Sequence, residues 1–370
     1  MSLFGNKIES YLGVDIGADG VKLVELRQTK GRPQLWTYGI VEEHISIHPE
    51  NGERSLAELG SKKSVVIPPV NSEFSLERAD HIAVLLSGLI KQARVSGRRA
   101  ASSLPVSHIF HTIINLPKVP EKEIDGMVQA EIAKVLPLPN DQMQIVYQTV
   151  PLSETLEKNY IRLLVTAAPK NMIEFYTRIF QKAGLQLYEL ETEAFALSRA
   201  LVGRDDSLTM IVDIGAERTN FSLIDKGLPM TQRSLNLGGA ILDTIIADRL
   251  GITPGEAQSI KRDISSNSKT VISTEPFIRF LEPLAKEIQY HFDLYLSQTG
   301  NEGRKPEKIV LTGGAAFFPP ILEYLKSQFP MRVFIGDPWA RVLYQDGLKP
   351  ILNEIAPRMA VALGLALRHF

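Results

Sequence analysis

The pentapeptide Val14-Asp15-Ile16-Gly17-Ala18 returns in the second half of the chain as Val212-Asp213-Ile214-Gly215-Ala216. A duplicated unit constrains the whole fold more than any local propensity does. Apolar residues precede each copy, Tyr11 and Leu12 in the first, Met210 and Ile211 in the second. An alternating run follows each, Val21-Lys22-Leu23-Val24-Glu25-Leu26 and Thr219-Asn220-Phe221-Ser222-Leu223-Ile224. Strand, Asp-x-Gly turn and strand make a hairpin, the glycine permitting positive φ and close backbone approach. Two such hairpins predict two related halves that face one another.

An Asp at a turn is accounted for by hydrogen bonds to its own backbone. Paired at the ends of two buried-looking strands, Asp15 and Asp213 also suit a hydrated Mg²⁺, which keeps most of its waters and touches few carboxylates. The turn N–H groups then suit phosphate oxygens. A third glycine signal comes late, Lys308-Ile309-Val310-Leu311-Thr312-Gly313-Gly314, running into a helical pattern over 320–328. A strand that ends in Gly-Gly and opens a helix lets a ligand approach the backbone. An apolar helix containing Gly364 is expected over 356–367.

The middle of the chain reads as an insert. Residues 105–116 alternate like a strand. Glu121–Leu136 has helical spacing, with acids at its start where the helix dipole favours them and Pro137 at its end. Residues 160–168 form a strand-like run, and 170–183 a helix stopped at Gly184. No catalytic constellation is visible there, which points to a binding surface. His108 and His111, three apart on a strand, lie on opposite faces and do not share a metal.

Together these segments resemble the phosphate, adenosine and connecting motifs of the actin-like ATPase superfamily, and within it the PilM family of type IV pilus assembly. The cues are Tyr11-Leu12-Gly13-Val14-Asp15-Ile16-Gly17, Asp213-Ile214-Gly215-Ala216-Glu217-Arg218-Thr219, Leu116-Pro117 through Glu131, Leu136-Pro137-Leu138-Pro139 and Leu164-Val165-Thr166-Ala167-Ala168-Pro169-Lys170. Residues 45–80, with Asn51-Gly52-Glu53 and Pro68-Pro69, match least and read as an elaboration. The resemblance implies an α/β, actin-like (ribonuclease H-like) two-lobed fold with an inserted small α+β domain of the SHS2-like kind found in FtsA. The expected division is lobe I over 1–100, insert over 101–186, return to lobe I over 187–210, lobe II over 211–355 and a C-terminal helix over 356–370.

The resemblance also implies roles. ATP and Mg²⁺ would sit between the lobes, with Asp15 and Asp213 on the metal. Gly17, Ala18, Lys22, Gly215, Ala216, Thr219, Gly313 and Gly314 would lie along the phosphates, and Gln258 and Lys261 by the ribose and base. Gln258 stands where the family has Glu, with Glu256 one turn away as a substitute. Glu191 and Asp213 are the catalytic candidates of a weak Mg²⁺-dependent ATPase, with Glu193 the alternative to Glu191. Asp19 adds an anion near the phosphates, where like charges weaken nucleotide binding. Arg218 either neutralises phosphate or pairs with a surface acid.

Composition narrows the partners. Lys and Arg total 41 against 42 Asp and Glu, for a net charge of −1, which lacks the basic excess that nucleic acid or an anionic membrane requires. Cysteine is absent, removing disulfides, thiolate metal sites and a Cys nucleophile, and fitting a reducing cytoplasm. The start shows no secretory signal pattern, and the longest apolar stretches, 82–90 and 361–367, fall short of the roughly 20 residues of a membrane span. No dinucleotide-binding, Walker A or Gly-x-Ser-x-Gly motif is present. The resemblance therefore places the protein in the cytoplasm, recruited to the inner membrane through the N-terminal peptide of PilN, with pilus motor ATPases and further copies of itself as other expected partners. An FtsA-like polymerising division protein and a small-molecule kinase are the rival readings. The chain ends directly after its apolar helix, where FtsA carries a membrane-binding tail.

Overall fold

In the computed structural model, which describes residues 10–29, 31–45, 47, 74–136, 138–151, 159–266, 272–298, 300–301 and 303–370, the repeated pentapeptides open two sheets of the same topology. The first sheet orders β1 (Ser10–Gly17), β2 (Gly20–Thr29), β3 (Arg32–Val41), β4 (Arg99–Leu104) and β8 (Gln186–Thr192) as β3-β2-β1-β4-β8. The second orders β9 (Leu208–Ile214), β10 (Thr219–Asp225), β11 (Leu228–Leu235), β12 (Pro306–Thr312) and β13 (Arg332–Ile335) as β11-β10-β9-β12-β13. In each, an antiparallel meander is extended by two parallel strands on the far side of the pentapeptide strand. Buried parallel strands require helical cover, and helices supply it. On lobe I, α1 (Leu76–Gln92) turns Ala79, Ile82, Ala83, Leu86, Leu89 and Ile90 inward at helical spacing, and the Ser75 hydroxyl caps it by accepting from the Arg78 N–H. On lobe II, α7 (Ile278–Leu296) and α8 (Pro319–Gln328) cover the sheet, with Phe280, Leu281, Leu284, Ile288 and Ile321 fully buried.

The place of the glycine with positive φ differs from the sequence expectation. Positive φ is required not at Gly17 or Gly215 but at Gly20, whose φ is 109° and where a Cβ would stand 1.9 Å from the Val41 carbonyl oxygen. The reason is the two-residue turn Ala18-Asp19, which closes with Gly17 opposite Gly20.

The inserted unit is a three-stranded sheet, β5 (Phe110–Pro117), β7 (Tyr160–Pro169) and β6 (Met143–Val150), in the order β5-β7-β6 and packed on α2 (Glu121–Ile132) through Leu116, Val128, Ile132, Leu163 and Val165. Two elements placed with it by sequence pack elsewhere. Strand β4 belongs to the lobe I sheet, and α3 (Lys170–Lys182) buries Met172, Phe175, Tyr176, Ile179 and Phe180 in the lobe I core beside α1. The Pro137 stop lies outside the described residues, as do residues 46 and 48–73 of the 45–80 elaboration.

The insert also docks on lobe II. The His111 Nε2–H donates to the Pro229 carbonyl at 2.7 Å, the Gln232 amide donates to His111 Nδ1 at 3.2 Å, and Arg162 reaches Asn301 at 3.0 Å. Burial pushes His111 down to about 4 and the buried His291 to about 3. A depressed histidine stabilises the fold above its unfolded value near 6.5, and that contribution is lost as pH falls, because the unfolded chain binds the proton first. Each histidine therefore costs up to about 1.4 kcal/mol per pH unit below 6.5. Stability measured by urea unfolding from about pH 6.5 to about pH 4.5 is expected to depend on pH differently in His111→Gln and in wild type, the variant losing about one proton's worth of the acid-side loss.

The C-terminal helix α9 (Lys349–Ala366) begins seven residues earlier than the sequence suggested and wedges between the lobes. Together with its flanking turns it forms a 24-residue stretch, Asp346–His369, long and apolar enough to cross a membrane, but 67% of that window is buried inside the protein. Its apolarity is explained by packing against β1, β2, β4 and β12. A Cβ on Gly13 would stand 2.1 Å from the Ala362 carbonyl oxygen, and one on Gly364 1.9 Å from that of Ala196. On the other side, the Pro357 carbonyl accepts from the Gly313 N–H at 3.2 Å and the Thr312 hydroxyl at 3.1 Å, tying α9 to lobe II.

Candidate functional site: an acidic cleft between two related turns

The two Asp-x-Gly turns face each other, so that Asp15, Asp213 and Glu193 act on one another electrostatically. Asp15 sits opposite Lys22 across β1–β2, both nearly buried, with Lys22 Nζ 3.9 Å from the carboxylate. A Cβ on Gly17 would stand 3.2 Å from the same Nζ, so the glycine leaves the ammonium room above the turn. The equivalent position opposite Asp213 is held by Asn220. The register is the same in both hairpins, each Asp pairing with the residue seven positions on. Thr219, expected along the phosphates, is fully buried and donates its hydroxyl to the Leu237 carbonyl. Asn220 is the residue the sequence reading missed.

Three carboxylates gathered in a partly dry cleft resist ionisation. Burial first, then the Asp15 charge, raises Asp213 to about 7. Burial raises Asp15, opposed by Lys22. Burial, Asp213 and Asp15 together hold Glu193 well above the usual carboxylate range. Glu193 opens the short helix α4 (Glu193–Leu197) and accepts from the Asn220 amide at 2.8 Å.

Glu191 is not part of this cluster. It lies on β8, its carboxylate held by Arg199 and Arg368, the latter at 2.6 Å. The alternation of β8 ends where α4 begins, and that change of period turns Glu193 toward the cleft while Glu191 is engaged by these two arginines. Arg218 bonds Ser234 through its hydroxyl at 2.8 Å and its carbonyl at 3.3 Å, with the neighbouring Glu217 carboxylate acting on it electrostatically. Asp19 does not confront the phosphate side as an unpaired charge, because Arg358 of α9 reaches it at 3.1 Å while holding Glu42 at 2.6 Å.

The glycines contribute space more than donors. The Gly215 N–H is bonded to the Arg218 carbonyl at 2.9 Å and the Gly313 N–H to Pro357. Gly313 has φ of 89°, and a Cβ there would lie 2.5 Å from the Asp213 carboxylate, while a Cβ on Gly314 would stand 3.7 Å from Arg358. A second Gly-Gly, Gly238-Gly239, opens α5 (Gly239–Leu250), and the Gly239 and Ala240 N–H groups bond the Gly215 and Ala216 carbonyls at 2.9 and 2.8 Å. Its signal, Gly-Gly before an apolar helix, matches that of Gly313-Gly314. Lys261, on α6 (Pro254–Ser266), donates to the Gly239 carbonyl at 2.9 Å and pairs with Asp243 at 2.7 Å, which brings it to the second turn. Gln258 is exposed one turn earlier. Glu256 is engaged in a capping box with Thr253, accepting its N–H at 2.9 Å, and so does not replace a ribose-binding acid.

The cleft fits a hydrated cation. Among the described residues, the Tyr176 hydroxyl, the Thr192 hydroxyl and the Asn220 side-chain oxygen Oδ1 are buried without hydrogen-bond partners; Thr192 precedes Glu193, and the Asn220 amide bonds it. Among the described residues no three acidic or imidazole groups converge as a full ligand shell. Two carboxylates, one from each turn, are a donor set that suits Mg²⁺ retaining its water.

Comparison with known proteins identifies the family. A family model for the type IV pilus assembly protein PilM matches residues 58–370. The chain belongs to that family. A solved PilM-PilN type IV pilus biogenesis complex is similar with a TM-score of 0.75 at 24% identity, covering 97% of this chain and 98% of that one. The ethanolamine utilization protein EutJ from Carboxydothermus hydrogenoformans is similar with a TM-score of 0.53 at 18% identity, over 97% of this chain and 89% of its own. Cell division protein FtsA of Enterococcus faecalis is 23% identical, over 88% of this chain and 78% of its own. The fold is thus the actin-like, two-lobed one, and the relation to FtsA is a likeness within it. The PilM model begins after the first hairpin, so the β1–β2 turn is assigned by its equivalence to β9–β10.

Proposed function

We propose that this PilM-family protein binds Mg·ATP between its lobes and serves as a cytoplasmic adaptor of the type IV pilus assembly platform, held at the inner membrane by the N-terminal peptide of PilN. The observation that carries the nucleotide part is the opposition of Asp15 and Asp213, one from each Asp-x-Gly turn, close enough that the Asp15 charge acts on Asp213. Family membership and likeness to the PilM-PilN complex support the partner. The insert, free of catalytic groups and seated against lobe II, supplies the peptide surface together with the lobe beside it.

Within this reading each residue has a defined task. Asp15 and Asp213 hold the hydrated cation, which neutralises phosphate charge. Lys22 approaches the phosphates over the first turn, and the Ala18 and Ala216 turns cradle them. Gly17, Gly215, Gly313 and Gly314 keep the approach clear. Lys261 and Gln258 face the nucleoside side from α6. Glu193, held in the cleft by Asn220, orients the attacking water in a slow hydrolysis, where positioning and charge stabilisation dominate.

Two experiments test this. Calorimetric titration of a PilN N-terminal peptide is expected to show saturable binding that changes on adding Mg·ATP; no binding in either condition contradicts the adaptor role. Glu193→Gln is expected to lower ATP turnover about 100-fold with Mg·ATP affinity within about threefold. Glu191→Gln leaves turnover near wild type and lowers the melting temperature, since it weakens the bonding to Arg199 and Arg368.

A further inference from the structure

At Pro357-Arg358, α9 is bonded to both sides of the cleft. The Pro357 carbonyl accepts from Gly313 and Thr312 of lobe II, while the Arg358 guanidinium reaches Asp19 in the first turn at 3.1 Å and Glu42, just past β3, at 2.6 Å. The stem of Arg358 passes close to the Gly313-Gly314 turn, where a Cβ on Gly314 would stand 3.7 Å from its Cγ. The chain of charges continues to lobe II, since Arg262 of α6, the neighbour of Lys261, lies 3.3 Å from Glu42. The backbone closes the same corner, because the Ile45 N–H donates to the Ala18 carbonyl at 2.9 Å and so holds the stretch after β3 beside the first turn. Arg358 is thus the cation common to two carboxylates at the edge of the first turn.

The side chains of Asp19 and Glu42 are 38% and 43% exposed, and ion pairs in such surroundings contribute little to folding. Their weight falls instead on an anion brought beside them. Two carboxylates at the first turn repel a polyphosphate, and a guanidinium held between them offsets that repulsion. We propose that Arg358 is a positioning residue that makes the first turn receptive to polyphosphate by holding Asp19, and so sets how strongly nucleotide affinity depends on phosphate charge. This deepens the Mg·ATP reading above and rests on it. The cation that serves the turn comes from the far end of the chain, on the helix whose preceding residue bonds the Gly313 turn.

The test uses the full chain carrying Arg358→Gln, Asp19→Asn or both, titrated calorimetrically with Mg·ATP and Mg·ADP at low ionic strength. Arg358→Gln uncovers an anion and is expected to weaken Mg·ATP about 10-fold and Mg·ADP, which has half the net charge, about threefold. Asp19→Asn removes that anion and leaves the guanidinium, so it is expected to tighten Mg·ATP about threefold, and the double variant to return to within about threefold of wild type. Wild-type Mg·ATP affinity in Arg358→Gln overturns this proposal alone. Equal losses for the two nucleotides, or a double variant as weak as Arg358→Gln, also overturn it, by showing that Arg358 serves the packing of α9 and not the charge of the turn. Should Arg358→Gln fail to fold, Asp19→Asn decides, and an Mg·ATP affinity at or below that of wild type overturns the proposal. Failure of the wild type to bind either nucleotide overturns it together with the reading on which it rests.

Discussion

Replacing Asp213 by Ala is expected to reduce Mg²⁺-dependent nucleotide affinity by about two orders of magnitude, near 3 kcal/mol, while leaving the ligand-free protein at least as stable as wild type. The two effects share a cause. Asp213 is raised to about 7 by burial and by the Asp15 charge, so the empty cleft holds carboxylates that repel one another. A carboxyl whose folded value exceeds its unfolded one stabilises below the unfolded value, near 3.8, and loses that contribution as pH rises through about 7. The gain in stability of Asp213→Ala over wild type is therefore larger at pH 8 than at pH 5. Titration with a fluorescent ATP analogue and melting curves at the two pH values measure both effects. Unchanged affinity would show that the paired turns serve only the fold.

Gly364→Ala is expected to be the most damaging single methyl group in the protein's centre, destabilising it by about 3 kcal/mol or more. The added Cβ would sit 1.9 Å from the Ala196 carbonyl oxygen, a main-chain atom that no rotamer change can move aside. Relief requires α9 to shift, and α9 also packs against Gly13 of β1 and bonds the Gly313 turn through Pro357. The variant is thus expected to weaken Mg·ATP binding from a distance as well as to lower the urea midpoint. Gly347→Ala, where a Cβ meets nothing within 4 Å, is the control and is expected to change stability by less than about 0.5 kcal/mol.

What could be read in the sequence was what repeats. The pentapeptide echo located both hairpins and the aspartate at the end of each first strand, since a strand-turn-strand unit is written in contiguous residues. Where the outcome depended on counting across a turn, the reading slipped. Asn220 rather than Thr219 stands opposite Asp213 because the two hairpins share one register, in which the partner lies seven residues on, as Lys22 does from Asp15, and Thr219 lies six on. Glu193 rather than Glu191 reaches the cleft because the period changes from strand to helix between them. The edges of the insert were misplaced for another reason. An amphipathic helix such as α3 shows that it has an apolar face, but not which core will cover it. The pairing of Asp19 with Arg358 joins residues from opposite ends of the chain, and no local pattern encodes it.

The central claim, that a nucleotide and its cation lie between the two Asp-x-Gly turns, is tested most directly by a crystal structure with a non-hydrolysable ATP analogue and Mn²⁺ in place of Mg²⁺. A single anomalous manganese peak is expected in the cleft, in direct or one-water contact with both Asp15 and Asp213. Nucleotide bound elsewhere, or a manganese peak away from both aspartates, would contradict it.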